Sequence, residues 1–170
     1  EVFGPVVCVY GYDELDDAIL QYVKKEYSLA IGDRTAEEIK IQMGSAWPME
    51  EELTADIRGR DLVSGLPRTI QLTTEHVREA LAEPVSAIID AIKTTLDTTP
   101  PELAADLMED GITLTGGGAL LGCLGQRLSH ENGMPIRVSD EPLYSVVIGS
   151  GRALENIEAM RGLMSLGGDD

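Results

Sequence analysis

Apolar residues along this chain switch between two spacings, every second position and every third or fourth, and the switches divide it into strands and helices. Val6 to Tyr10 predicts a strand, and from Asp13 onward Leu15, Ala18, Ile19, Tyr22 and Val23 share one stripe of a helix. Asp33 stands as N-cap of a second helix, "DRTAEEIKIQMGSA", which ends around Gly44. Glu50 to Asp61 and Pro67 to Leu72 alternate as two strands joined through "VSGL". From Thr74 to about Leu96 the pattern is helical, with Val77, Leu81, Val85, Ile88 and Ile92 inward and Pro84 expected to kink the helix. Pro100-Pro101 opens a short helix that ends at Gly111.

The stretch "GITLTGGGALLGCLGQRLSHENGMPIRVSDEP", Gly111 to Pro142, carries the clearest local signal. Ile112 to Thr115 is a β-branched strand, and from Ala119 the residues Leu120, Leu121, Leu124 and Leu128 have the spacing of a helix with one buried face. Asn132-Gly133 suits a left-handed C-cap, and Pro135 to Val138 is the next strand. The unit is βαβ, so its two strands should be parallel. Three glycines, Gly116 to Gly118, fill the strand-to-helix turn. Bare backbone there lets a ligand come close to free N–H groups, but the same spacing fits a tight turn with no ligand. The turn is neither the phosphate-cradling GxxxxGK[ST] nor GxGxxG. Asp140 to Asn156 closes the chain as a helix in which Gly149, Ser150 and Gly151 allow close packing against a neighbour.

Composition narrows the class. At 170 residues and 43% hydrophobic content the chain can bury one sizeable core, with room for a small inserted lobe. Thirty acidic side chains against thirteen basic give a formal charge of −17, a surface that repels nucleic-acid backbones and anionic lipid. No apolar run reaches membrane-spanning length, and the start Glu1-Val2-Phe3 reads as the cut edge of something longer. Cys8 and Cys123 make no disulfide or metal framework, which points to a reducing compartment. His76 and His130 have no partner at ligand spacing, so neither a metal site nor a catalytic constellation is expected. The acidic first turn Asp13, Glu14, Asp16 and Asp17, and the basic last turn Lys24 and Lys25, read as solvated charges that suit a helix dipole.

The second helix offers candidate chemistry. Ala36, Ile39 and Met43 form one face, while Glu37, Lys40, Ile41 and Gly44 form another. An acceptor, a donor, a flat aliphatic contact and a gap together meet the needs of a nucleoside. The same spacing equally fits an i,i+3 Glu–Lys surface pair.

Two blocks, "IGDRTAEEIKIQMGSAWP" (Ile31 to Pro48) and "GITLTGGGALLGCLGQRL…GMPIRVSDEPLYSVVIGSGRALE" (Gly111 to Glu155), resemble the second half of the MreB family of bacterial actin-like cell-shape proteins. The connecting "IRGRDLVSGLPRTIQLTTEHVREAL" matches as well, so the resemblance covers roughly Asp13 to Gly162. It implies the C-terminal half of an actin-like ATPase fold of the ribonuclease H-like α/β class, a mixed sheet with flanking helices plus a small inserted α+β lobe. Residues 1–27 and 74–170 would form the large lobe and 28–73 the small one. In that family the TGGGAL turn and the EEIK segment face the ATP adenosine from opposite sides. The resemblance thus implies a split nucleotide site made of Glu37, Glu38, Ile39 and Lys40 with Gly116, Gly117, Gly118, Ala119 and Leu120.

It further implies ATP as cofactor, with magnesium in the full-length protein, and filaments formed by self-association that govern rod shape by organising wall synthesis. Wall-synthesis and membrane-bound morphogenesis proteins would be partners. The location would be cytoplasmic, at the inner membrane face through the missing half or those partners, with no direct membrane contact from this half and no nucleic acid. Slow ATP hydrolysis is implied only for the full-length protein, because the phosphate loops of DxGTxxT and DxGGGTT type and the catalytic acid have no counterpart in this chain. Glu1 to Tyr12 departs from the family pattern, which has a hairpin ending in a GGDE-like turn. The alternatives are a nucleotide-free actin-like assembly module and a related ATPase of the actin or heat-shock-chaperone type.

Overall fold

The structure is a computed structural model and describes residues 6–8 and 12–156. Its strands form two three-stranded sheets. In the first, β5 (Ile112–Thr115) lies between β1 (Val6–Cys8) and β6 (Ile136–Val138), parallel to both. The second is antiparallel and places β3 (Thr54–Asp61) between β2 (Leu29–Ala30) and β4 (Pro67–Thr73). The parallel pairing of β5 and β6 is the one the βαβ pattern predicts. The first strand was expected to reach Tyr10, and its last two residues lie outside the described ones.

Helix α1 (Tyr12–Tyr27) buries Leu15, Ile19 and Val23, one stripe of it, against α2 (Asp33–Met43) and α3 (Thr74–Ala80). α2 contributes Ala36, Ile39 and Met43 to the same core. Its N-cap is Gly32 in extended conformation, and the expected cap, Asp33, occupies the first turn, where its charge suits the dipole. The strand expected from Glu50 begins only at Thr54. Glu52 is instead drawn to the next helix, accepting from the Thr74 hydroxyl and pairing with Arg78 at 2.9 Å.

The long helix expected from Thr74 is two helices, α3 and α4 (Ala82–Thr98), separated at Leu81. Pro84 accounts for the break. In a continuous helix its ring would strike the carbonyl of Ala80, whereas as the third residue of a new helix its missing N–H is one that had no intrahelical partner anyway. Inward positions shift accordingly: Val85, Ile89 and Ile92 are buried, and Ile88 is only partly so. Helix α5 (Pro101–Asp110) leads into β5 through Gly111, and α6 (Leu124–Asn132) ends at Gly133 in the left-handed conformation, as Asn132-Gly133 predicts.

The last helix, α7 (Ser145–Glu155), is shorter than the expected Asp140–Asn156, because the segment before it is tied to the end of β5: the Pro142 carbonyl accepts from the Gly116 N–H at 2.9 Å. A Cβ at Gly149 or Gly151 would meet nothing within 4 Å, so among the described residues no element makes the close approach expected there.

The β3–β4 turn is built by one carboxylate. Asp61 Oδ1 accepts from the Val63 and Ser64 N–H groups at 3.0 and 2.7 Å, and Oδ2 from Arg68 at 2.8 Å. The Ser64 N–H, then the Arg68 guanidinium and the Ser64 hydroxyl, hold the Asp61 carboxyl well below the usual carboxylate range. A depressed folded-state pKa stabilises fully above the unfolded value, about 4, and the contribution fades as pH falls below it. The stability gap between the protein and Asp61→Asn is therefore expected to be widest near neutral pH and to narrow between about pH 4 and pH 2. Urea midpoints across that range test this; a gap that does not change with pH would show that the turn draws nothing from the charge.

Candidate functional site: a glycine turn facing helix α2

At the end of β5 the chain turns on Gly116, whose φ of 83° is a conformation that side-chain-bearing residues rarely adopt. A 3₁₀ turn follows over Gly117–Leu120, and the Leu121 N–H closes it by donating to the Gly118 carbonyl at 3.1 Å. The helix expected from Ala119 does not start there. Leu121 is extended, Cys123 is left-handed at φ 57°, and α6 begins only at Leu124.

The interruption has a physical cause in α2. The Gly122 N–H donates to the Gly44 carbonyl at 3.2 Å, and the Ala46 N–H donates to the Gly122 carbonyl at 2.8 Å, a short parallel bridge between the segment after α2 and the segment after the glycine turn. A Cβ on Gly122 would lie 2.7 Å from the Gly44 carbonyl oxygen, and one on Gly44 would lie 2.9 Å from Leu121 Cδ1. Trp47 adds a second link, with its ring 4.9 Å from that of His130 and 5.3 Å from the Arg127 guanidinium carbon. Helix α2 is thereby fixed opposite the glycine turn.

Between them lies a cavity of about 230 Å³. The glycine turn supplies Gly117, Gly118 and Leu120 to its wall, with Leu121 just beyond. Lys40 and Ile41 face them from α2, and Leu15 and Leu143 complete the apolar part. A whole small-molecule site is usually about 300–1,000 Å³, so this volume is that of part of a site. Its chemistry is an aliphatic wall, bare backbone and one lysine side chain, which suits a flat heteroaromatic ring with a polar edge. A larger depression of about 640 Å³ lies between α1 and the α3–α4 pair. There Glu14, Asp17, Glu26, Glu79 and Glu83 outweigh Lys25, a rim that repels phosphorylated ligands.

The structure brings together Lys40, Gly117, Gly118 and Leu120 from the nine candidate residues. The others stand off the cavity wall. Glu37 is exposed, Glu38 pairs with Arg34 at 3.1 Å, and Ile39 and Ala119 belong to the core. Gly116 acts one residue back, setting the turn.

Lys40 also departs from the surface pair with Glu37 that its spacing allowed. It is 5% exposed, and its Nζ lies 2.7 Å from Asp16 Oδ2 on α1. Asp16, expected to be a solvated helix-end charge, is thus a half-buried partner of a cavity-lining lysine. Twenty-four positions separate the two, so no local periodicity could pair them; a lysine flanked by the core residues Ile39 and Met43 was the available hint.

The family model for MreB/Mbl proteins matches residues 5–162. The chain belongs to the MreB/Mbl family. Among curated relatives of this family, the cell shape-determining protein Mbl of Bacillus subtilis (strain 168) is 47% identical over 148 residues, 87% of this chain and 44% of the relative. The cell shape-determining protein MreB of Escherichia coli (strain K12) is 45% identical over 148 residues, 87% of this chain and 43% of the relative. The chain thus spans less than half the length of these relatives. In three dimensions it is similar to MreB5 of Spiroplasma citri, solved with AMPPNP bound, at a TM-score of 0.84 and 36% identity over 87% of this chain and 44% of that one. A MamK double helical filament matches at a TM-score of 0.65 and 20% identity over 78% of this chain and 41% of that one, a likeness of fold alone. The actin-like α/β fold expected from the MreB resemblance is the fold of this chain.

Proposed function

We propose that this chain supplies the adenosine-facing side of the ATP site in a filament-forming bacterial cytoskeletal protein that governs rod shape by organising wall synthesis. The observation that carries the reading is the meeting of Lys40 and Ile41 with Gly117 and Gly118 across one small cavity, in a chain of the MreB/Mbl family. The Spiroplasma citri relative, solved with AMPPNP and with ADP, supports it.

In this reading Ile41 and the leucines contact the base, the glycines admit it to the main chain, and Lys40 donates to an acceptor on base or sugar. Glu37, exposed on the same helix, reaches the ribose hydroxyls when the nucleotide is seated, and the remaining candidates shape the turn and hold α2. Residues 1–27 and 74–170 make the large lobe and 28–73 the small one, with the β2–β3–β4 sheet wholly inside the latter. ATP brings its triphosphate and magnesium to groups beyond this cavity. Among the described residues no three His, Cys, Asp or Glu side chains gather to hold a metal ion, so no magnesium ligand is assigned to this chain. No described helix is long and apolar enough to cross a membrane, and placement at the inner membrane face would come through partners, which include wall-synthesis proteins. Self-association into filaments is part of the same reading, as the filament of the MamK neighbour supports.

A half-site without phosphate loops should bind adenosine and ATP with similar, weak affinity, since charge-assisted contacts to phosphate supply much of the binding in complete sites. Calorimetric titration of the 170-residue chain with each ligand tests this. Sub-micromolar ATP binding that depends on magnesium would overturn the half-site. Absence of any adenosine binding would favour a nucleotide-free assembly module.

A further inference from the structure

We infer that Asp16 is a positioning residue for the nucleoside site, acting through Lys40; this rests on the reading of the cavity as an adenosine site. Lysine is a poor fixed donor on its own, because its four-carbon stem has several rotatable bonds and its ammonium has no directional fork. Here the side chain is 4% exposed and its Nζ is held 2.7 Å from Asp16 Oδ2, while Lys40 itself lines the cavity. The ammonium is therefore held in one place beside the cavity before any ligand arrives, and the entropy of ordering it is already spent in folding.

The geometry of Asp16 carries a second sign. Its other oxygen, Oδ1, is buried and has no hydrogen-bond partner among the described residues. Buried carboxylate oxygens without protein partners weigh against stability, and such an oxygen calls for an explanation that a positioning role supplies. Asp16 is absent from the cavity wall, so it does not touch the ligand; it acts by fixing the lysine that does. Its place on α1, with Leu15 next to it on the wall, also ties the aim of Lys40 to the packing of α1 against α2.

A double-mutant cycle on adenosine affinity separates positioning from general support of the fold. Kd is measured by ligand-detected NMR titration for the protein, Asp16→Asn, Lys40→Met and the double variant, each at a temperature where circular dichroism shows it folded. Asp16→Asn is expected to weaken adenosine binding about tenfold in the presence of Lys40, on the scale of re-ordering one long side chain and losing its aim, and less than about twofold in the Lys40→Met background. Equal losses in both backgrounds, or no loss in either, overturn the inference while leaving the nucleoside reading standing. No adenosine binding by the unaltered chain overturns both. Should Asp16→Asn fail to fold, Asp16→Glu keeps the charge but moves the carboxylate by one methylene: a weakened Kd supports positioning, and an unchanged one refutes it.

Discussion

Replacing Lys40 with alanine is expected to destabilise the folded chain by about 3 kcal/mol, the lower end of the cost of orphaning a buried charge, because the carboxylate left behind is half-buried. Asp16 would retain a carboxylate in a setting where its side chain is 17% exposed and Oδ1 is already unsatisfied. For a protein of this size, that loss lowers the melting temperature by about 10 °C. Two further variants divide the effect. Lys40→Met fills most of the volume yet leaves the same orphaned carboxylate, so it should lose nearly as much as alanine. Pairing Lys40→Met with Asp16→Leu removes both charges and should recover most of the stability, because well-packed apolar replacements of buried ion pairs are often neutral or better. Urea denaturation of the four proteins decides the matter. A Lys40→Met variant as stable as the parent would mean that the ion pair contributes nothing to the fold, and that the burial of Lys40 reflects packing of its stem alone.

That lysine marks the line between what was legible in the sequence and what was not. Patterns with a local cause carried through: the strand at Ile112–Thr115, the C-cap at Gly133, and the buried stripe of Leu15, Ile19 and Val23 each depend on neighbours within one or two turns. The glycine turn and the EEIK segment were visible as candidates for the same reason. Their meeting was implied only by the MreB resemblance and by no pattern in the residues themselves, since it depends on backbone hydrogen bonds between Gly44, Ala46 and Gly122, residues far apart in the chain whose pairing has no periodic signature. The expected helix from Ala119 failed on that point: Leu121 and Leu124 do have helical spacing and are both buried, but the bridge to α2 draws the backbone out between them. Asp16 was misjudged by the same limit. A carboxylate in the first turn of a helix suits the dipole whether or not a lysine from another helix comes to meet it. Pro84 shows the converse, a local rule applied to the right residue, where the disruption takes the form of a helix that stops and restarts at Leu81.

The bridge at Gly122 is itself open to test, and it is where the second large effect is expected. A single methyl group in Gly122→Ala would lie 2.7 Å from the Gly44 carbonyl oxygen, closer than real Cβ contacts come, and the atom it meets is backbone. The two strands must part, weakening the Ala46 N–H bond to the Gly122 carbonyl and the Gly122 N–H bond to the Gly44 carbonyl. Overpacking of this kind costs about 1–3 kcal/mol and each strained hydrogen bond about 1 more, so a loss of about 3 kcal/mol is expected. Gly149→Ala is the matched control. Its Cβ would meet nothing within 4 Å on the exposed helix α7, and alanine there should stabilise by about 0.5–1 kcal/mol. The consequence for the site follows from geometry, because the same bridge sets the distance between Lys40–Ile41 and Gly117–Gly118. Gly122→Ala should therefore weaken adenosine binding in protein that remains folded, and hydrogen exchange at the Ala46 amide should accelerate while that at Leu114, in the middle of the parallel sheet, should not. Faster exchange at Ala46 with unchanged adenosine affinity would show that the two walls of the cavity are held together by something other than this bridge, the contact of Trp47 with Arg127 and His130 being the next one to break.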